Sequence, residues 1–194
     1  MKRTQRIGLF GGSFDPVHNG HIKLAGLAKR EFKLDKVVFI PAYNPPHKKQ
    51  KSLASPPRRL RMLSLAIGKR KDFEISRYEL NLKKPVFSYQ TVEHFAKKYG
   101  GAILFFIVGS DSLIDLKNWK KPARILELSD IITGIRKGTK RPGNPAEKRI
   151  HLLKEPIPPV SSTIIRKLAG SGAPLKGFVP GNVASYIRKH ELYQ

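Results

Sequence analysis

Short apolar runs alternate with longer amphipathic segments along the whole chain. The runs at 7–10, 36–40 and 102–108 are apolar at nearly every position, which is typical of strands buried on both faces of a parallel sheet. Between them, apolar residues recur every three or four positions, and this spacing predicts helices. We expect further strands at 73–76, 131–134 and 150–153, and helices at 19–32, 58–67, from 88 to the glycines at 100 and 101, from 111, and at 122–128, 163–169 and 183–190.

Strands that alternate with helices predict an α/β class: a doubly wound, Rossmann-like parallel sheet flanked by helices. We expect a single domain over residues 1–194, with a small helical portion from about residue 161. Ligands of such folds bind beyond the carboxyl ends of the strands. The segments that follow predicted strands therefore form one expected neighbourhood: 11–21, 41–51, 109–119 and 134–141.

The composition excludes several classes of site. The 194 residues include no cysteine, which rules out disulfide frameworks, thiolate metal sites and thiol nucleophiles and favours a cytoplasmic location. We expect no signal peptide, because the charged first residues lead into glycine-rich sequence. The longest apolar run has seven residues, whereas a membrane-spanning helix needs about 20, so we expect no membrane partner.

The charge balance is strongly positive: 38 Lys and Arg against 14 Asp and Glu give a net charge of +24. Such a field attracts polyanions, either phosphorylated substrates or nucleic acid. The basic residues are scattered in short runs without a familiar nucleic-acid motif. We therefore expect no specific nucleic-acid partner, and the sequence leaves the oligomeric state open.

The stretch GGSFDPVHNGH joins the first strand to the first helix. Gly11 and Gly12 allow a sharp turn and a close approach of ligand to backbone, and the start of a helix favours anions. His18 and His21 lie on one side of the first turn, where both can donate to phosphate oxygens. A lone histidine here would indicate only a helix cap, but the pair around Gly20 favours phosphate binding. No third ligand at helical spacing supports zinc.

A second candidate segment, SSTIIR, begins a helix near the carboxyl end. Ser161 or Ser162 is the expected N-cap, and Arg166 can clamp phosphate oxygens through two N–H groups. By itself the segment fits an ordinary capped helix equally well. Neither segment pairs a nucleophile with a base, as suits phosphoryl transfer, which depends on positioning and charge stabilisation.

Both segments resemble the signatures of the nucleotidyltransferase superfamily, H-x-G-H and S/T-S/T-x-x-R. H-x-G-H alone is shared with pantetheine-phosphate adenylyltransferases and class I tRNA synthetases. PAYNPPHKK, RLRMLSLAI, SYQTVEHF, GSDSLIDLKNW and VPGNVASYIRKHELY extend the resemblance to the bacterial nicotinate-nucleotide adenylyltransferase family over essentially the whole chain.

The resemblance implies transfer of AMP from ATP to nicotinate mononucleotide, with Mg²⁺, in NAD biosynthesis. The 5′-phosphate of the mononucleotide would attack the α-phosphorus of ATP in line, giving deamido-NAD and pyrophosphate. His18 would stabilise charge at the α-phosphate, while His21 and Arg166, with Ser162 and Thr163, would hold the β and γ oxygens. Mg²⁺ would bind through triphosphate oxygens and water, so we expect no protein metal ligands.

The same resemblance assigns the remaining site residues by position. Read without it, Trp119 is a half-buried core residue and His47 and Lys48 belong to one more basic loop. The ATP-binding residues implied are Gly11, Gly12, Ser13, Phe14, His18, His21, Gly109, Asp111, Ser161, Ser162, Thr163 and Arg166. The nicotinate-nucleotide residues implied are His47, Lys48, Tyr89, Trp119 and Arg136.

Two other functions are weighed against this one. A phosphopantetheine acceptor would use the same fold but would need neither the PPHK loop nor the segment around Trp119. A nucleic-acid-binding module would account for the charge and predicts a steeply salt-dependent affinity without turnover. Release of pyrophosphate with nicotinate mononucleotide distinguishes the first function from both.

Overall fold

The computed structural model describes residues 3–44, 54–110, 113, 115–136 and 148–194. Its strands are β1 (Arg6–Gly12), β2 (Lys36–Pro41), β3 (Phe73–Ile75), β4 (Ile103–Gly109), β5 (Asp130–Gly134) and β6 (Ile150–Leu152). Its helices are α1 (Asn19–Glu31), α2 (Pro56–Ile67), α3 (Tyr78–Leu82), α4 (Ser88–Lys98), α5 (Pro122–Leu128), α6 (Ser162–Gly170) and α7 (Gly181–Lys189). A 3₁₀ turn, Leu116–Asn118, precedes α5.

The predicted α/β class is confirmed. The strands form one sheet in the order β3-β2-β1-β4-β5-β6, and every pair is parallel. Each strand predicted from an apolar run is present. The helix predicted from Asp111 falls largely outside the described residues, although Ser110 and Leu113 have helical backbone. The short helix α3 was not predicted, because five residues are too few to show a helical period.

The strand order reverses at β1, which lies between β2 and β4. In register, Gly12 pairs with Pro41 and Gly109 pairs with Gly134, so these strands end at one edge of the sheet. The connections that leave this edge are therefore neighbours. This reversal is the topological switch point at which open α/β sheets bind ligands.

Two apolar layers cover the two faces of the sheet. Phe10 and Phe39 face one cluster, which α1, α2, α6 and α7 complete. Leu9 and Val38, one position away, face the other cluster, formed with α4 and α5. Successive residues of a strand point to opposite faces, so a strand covered on both faces is apolar at every position.

The helices are short. The longest that the structure describes, α1, has 13 residues. Within the described ranges, no helix combines the length and the apolar character that crossing a bilayer requires.

Candidate active site

The two histidines of the first motif are joined to one another at the start of α1. His18 is the N-cap residue with extended backbone, and its Nδ1 accepts a hydrogen bond from the His21 N–H at 3.3 Å. In return, the His18 N–H donates to Nδ1 of His21 at 3.2 Å. The rings stack with centroids 3.6 Å apart. His18 is buried and His21 is half-buried, so both rings are held in a defined orientation.

This reciprocal cap also determines where each neutral ring carries its proton. Because Nδ1 of His18 and Nδ1 of His21 both accept from backbone N–H groups, the ring proton of each lies on Nε2. Each imidazole is consequently a donor at Nε2 even when it is uncharged. A hydrogen-bond donor held at a fixed position is suited to binding a phosphate oxygen.

Gly20 permits this arrangement. A Cβ atom at Gly20 would lie 3.0 Å from Nδ1 of His18 and 3.0 Å from Cγ1 of Val160. Both distances are shorter than ordinary carbon contacts, so a side chain here would displace the His18 ring or the segment that leads into α6. Glycine at this position thus lets the two signature segments approach each other.

The glycine turn ahead of the histidines packs on Phe14. The Phe14 backbone is left-handed, with φ of 47°, and its ring is buried against His21 with centroids 5.1 Å apart. A Cβ atom at Gly12 would lie 3.1 Å from that ring. The Phe14 side chain is therefore buried against Gly12 and His21, so any contact of this residue with ATP would involve its backbone.

The second motif contacts the first directly. Ser161 is the N-cap of α6, accepting from the Ile164 N–H at 3.3 Å, as one of the two predicted alternatives. The Ser162 hydroxyl donates to the Pro16 carbonyl at 3.0 Å, 146 residues away in sequence. Arg166 donates through Nη1 to the Asp15 carbonyl at 2.8 Å, and through Nη2 to Oγ1 of the exposed Thr163 at 3.3 Å.

Arg59 organises the loops around this site, although sequence reasoning missed it. Its guanidinium is 2% exposed and donates to four backbone carbonyls. Burial lowers its pKa, but the effect of Asp15 opposes this. Its position three and four residues before buried apolar residues of α2 is a signal that could have indicated a buried face. The acceptors are Ser13 at 2.8 Å, Ala42 at 2.7 Å, Tyr43 at 2.9 Å and Ala54 at 3.0 Å.

Asp15 and Tyr193 were also missed. Asp15 is fully buried, and its Oδ1 accepts from the Tyr193 hydroxyl at 2.8 Å and from the Ala54 N–H at 3.0 Å. Burial is the largest effect and holds the pKa of Asp15 above its ordinary value, although these hydrogen bonds, Arg166 and Arg59 lower it. Burial and the neighbouring carboxylate raise the pKa of Tyr193, so its hydroxyl keeps its proton. Nothing in the local Asp-Pro sequence indicates that this carboxylate is buried.

The residues expected to contact the nicotinate ring lie on the other face of the sheet. Trp119 packs edge-on against Phe106 of β4, with centroids 6.0 Å apart. Tyr89 is half-buried at the start of α4, and the Lys121 ammonium lies 5.0 Å from its ring centroid. Both aromatic rings pack against the same apolar cluster. Because α4 runs into β4, its first residues lie at the carboxyl edge of the sheet.

The other predicted residues are placed as follows. Gly11 lies in β1 and Gly109 ends β4, and Arg136 forms an isolated bridge with Ile157 just beyond β5. The remaining predicted residues, His47, Lys48 and Asp111, lie outside the described residues. Among the residues that are described, no cluster of three or more His, Asp or Glu side chains could hold a metal ion.

Comparison with known proteins tests the family. The sequence model of a family described as Cytidylyltransferase-like matches residues 9–168. A "Probable nicotinate-nucleotide adenylyltransferase" of Thermoanaerobacter sp. is 34% identical, over 100% of this chain and 97% of that protein. A protein of the same description from Clostridium tetani is 36% identical over 96% and 98%. The chain belongs to the nicotinate-nucleotide adenylyltransferase family. The resemblance inferred from the motifs is thereby confirmed.

Solved structures agree with this fold. Plasmodium falciparum nicotinic acid mononucleotide adenylyltransferase complexed with NaAD superimposes with a TM-score of 0.80, covering 97% of both chains at 19% identity. The structure of the same protein complexed with APC gives a TM-score of 0.79 at the same coverage. At this identity the likeness concerns the fold, and it matches the parallel sheet described above.

Proposed function

We propose that this chain transfers AMP from ATP to nicotinate mononucleotide, forming nicotinate adenine dinucleotide and pyrophosphate in NAD biosynthesis. The observation that carries the proposal is the contact between two phosphate-binding motifs at the switch point of the sheet. Ser162 and Arg166 of the second motif donate to the backbone carbonyls of Pro16 and Asp15, which lie two and three residues before His18. The names of the relatives supply the substrate pair.

In the reaction, an oxygen of the mononucleotide 5′-phosphate forms a bond to the α-phosphorus of ATP. The bond between that phosphorus and the bridging oxygen to the β-phosphate breaks, and pyrophosphate leaves with the electron pair. We assign the Nε2–H of His18 to the α-phosphate oxygens, where negative charge develops. His21 and Arg166 hold the β and γ oxygens, so that charge on the leaving group is neutralised.

The start of α6 adds main-chain donors to this clamp. The Ser162 hydroxyl already donates to Pro16 and the Ser161 side chain caps Ile164. Their contribution to phosphate binding would therefore come through the backbone N–H groups of the first turn, which a helix leaves without intrahelical acceptors. Thr163, which is exposed and bonded to Arg166, orients the guanidinium.

A divalent cation accompanies the triphosphate in this chemistry, and we propose Mg²⁺. Asp15, the carboxylate of the first motif, is fully buried and its Oδ1 accepts two hydrogen bonds, which does not suit a hydrated cation. Mg²⁺ would instead bind the phosphate oxygens and water, and neutralise part of the triphosphate charge. No protein ligand is assigned to it.

The nicotinate half of the site rests on Tyr89, Trp119 and Arg136, with His47 and Lys48 from the preceding loop. Trp119 and Tyr89 offer aromatic faces for the pyridine ring, and cations beside them suit an acidic ring substituent and a phosphate. The adenosine and its phosphates are proposed to lie near Gly11, Gly12, Ser13, Gly109 and Asp111. We also propose that the enzyme is located in the cytoplasm.

An acceptor assay tests the proposal. Purified protein is incubated with ATP and Mg²⁺ and with nicotinate mononucleotide, nicotinamide mononucleotide or phosphopantetheine, and pyrophosphate release is measured. We expect rapid release with nicotinate mononucleotide and formation of the dinucleotide in equal amount, since each transfer yields one of each. A reaction without acceptor is the control. Release with phosphopantetheine alone, or with no acceptor tried, would refute the proposed function.

A further inference from the structure

The last residues of the chain return to the active-site loop. After α7, the chain turns through residues with left-handed backbone, Glu191 at φ 48° and Tyr193 at φ 73°, and Tyr193 is directed at Asp15. The tail crosses the end of α6, where a Cβ atom at Gly170 would lie only 2.8 Å from the Tyr193 carbonyl oxygen. The tail therefore contacts both α6 and the loop before His18.

Asp15 connects this tail to the phosphate clamp. Its Oδ1 accepts from the Tyr193 hydroxyl at 2.8 Å and from the Ala54 N–H at 3.0 Å. Its main-chain carbonyl accepts from Nη1 of Arg166 at 2.8 Å, and its Oδ2 lies 3.8 Å from that same nitrogen. Among the described residues, Oδ2 has no hydrogen-bond donor within reach. The guanidinium of Arg166 is thus one of the two opposite charges that act on this carboxylate, and Arg59 is the other.

The electrostatics of a buried carboxylate explain why the hydroxyl matters. Burial favours the neutral acid, and donors and cations favour the anion. The charged and titratable groups that face Asp15 are Tyr193 from the tail, Arg166 from α6 and Arg59 from α2. The Tyr193 hydroxyl remains a donor because its own pKa is raised. It therefore helps to keep Asp15 ionised beside the arginine that the clamp uses.

We propose that Tyr193 and Asp15 are positioning residues of the adenylyl transfer, in which the tail hydroxyl holds the Asp15 carboxylate and that carboxylate orients the Arg166 guanidinium toward the leaving pyrophosphate. The proposal rests on the function proposed above. It adds that the final residues of the chain are part of the active-site architecture, although neither Tyr193 nor Asp15 touches substrate.

The first test removes the hydroxyl alone. In Tyr193→Phe, Asp15 keeps the Ala54 N–H but loses the tail donor. We expect kcat to fall between about 10- and 100-fold, the range for a small displacement of a catalytic group, while KM for nicotinate mononucleotide stays within about twofold. Tyr186→Phe is the matched control, because this tyrosine of α7 packs against His190, the C-cap of that helix, and has no hydroxyl hydrogen bond within the described part of the chain. We expect its kcat to equal that of the wild type.

A pH profile distinguishes positioning from packing. Removing the Tyr193 donor raises the pKa of Asp15 further, so protonation cancels its attraction for Arg166 at a higher pH. The fall of kcat on the acid side of the pH profile should therefore move to higher pH in Tyr193→Phe and stay in place in Tyr186→Phe. Asp15→Asn, which cannot ionise, should lower kcat and lack this fall, and it decides the matter even if Tyr193→Phe does not fold.

The double variant completes the design. If Tyr193 acts through Asp15, adding Tyr193→Phe to Asp15→Asn costs less than the product of the two single losses. Independent losses, or a lower Tm in Tyr193→Phe with wild-type kcat and no shift of the fall on the acid side, would overturn the proposal and leave the proposed function standing. Absence of pyrophosphate release from the wild-type enzyme would instead refute the function itself.

Discussion

His18 combines a structural role with the proposed chemical role in a single side chain. Its Nδ1 caps α1 by accepting from the His21 N–H, and this bond assigns the ring proton to Nε2, the atom proposed to face the α-phosphate. Substitution to alanine would therefore remove a helix cap together with a phosphate donor. A side chain that keeps one task and loses the other separates them.

Asparagine is that side chain, because it caps helices well but has no imidazole. We expect His18→Asn and His18→Ala both to lose at least about 100-fold in kcat, as for removal of a donor that stabilises transition-state charge. Only His18→Ala should also lose about 1 kcal/mol of unfolding free energy, measured by urea denaturation. Near-wild-type turnover in either variant would exclude His18 from the proposed role.

Helix α1 contains two glycines, and only the one at its amino end is tightly packed against other residues. Gly20 lies in its first turn, where the His18 ring and Val160 leave no room for a Cβ atom. Gly26 lies six residues further along the same helix, and a Cβ atom there would have nothing within 4 Å. The two glycines thus differ in tertiary contacts while sharing helical backbone.

This difference gives a matched pair of variants. Gly26→Ala should stabilise the protein by about 1 kcal/mol, since alanine favours helix more than glycine does, and kcat should not change. Gly20→Ala should destabilise it by about 1–3 kcal/mol through overpacking and lower kcat by displacing His18. Thermal unfolding and steady-state turnover of both variants measure this, and equal behaviour of the two would contradict the role given to Gly20.

The element missed by sequence reasoning, α3, is stabilised by a contact that no local pattern reveals. Glu79 is buried in α3 and accepts from the Thr91 hydroxyl of α4 at 2.7 Å. Burial raises the pKa of Glu79. Glutamate in general predicts an exposed side chain, and only the packing of α4 against α3 reverses that expectation here.

At the scale of the whole molecule, the chain carries a net charge of +24, and both of its substrates are phosphorylated. Exposed charges act over about 10 Å at moderate salt, so a strongly positive net charge favours the approach of phosphorylated substrates. This field would also retain nucleic acid weakly without sequence preference. Whether the chain is one domain with a helical portion from about residue 161 stays a prediction.

Ionic strength tests the field. Between about 50 mM and about 500 mM NaCl the screening length falls severalfold, so KM for ATP should rise severalfold. We expect kcat to change less, because the clamp residues are largely buried and buried charges are screened less. Steady-state kinetics over this range measure both constants. A constant KM would show that substrate binding does not depend on the field.

The sequence by itself determined the strands, most helices and both signature motifs, and it narrowed the N-cap of α6 to Ser161 or Ser162. These depend on the spacing of apolar residues and on capping groups within a few positions of one another, which are local properties. Only the tertiary structure decided that Asp15 accepts a hydrogen bond from Tyr193, 178 residues away. It also decided that Arg59 is buried and donates to four backbone carbonyls. Whether a charged side chain is buried depends on which distant backbone groups reach it, and packing of the elements determines that.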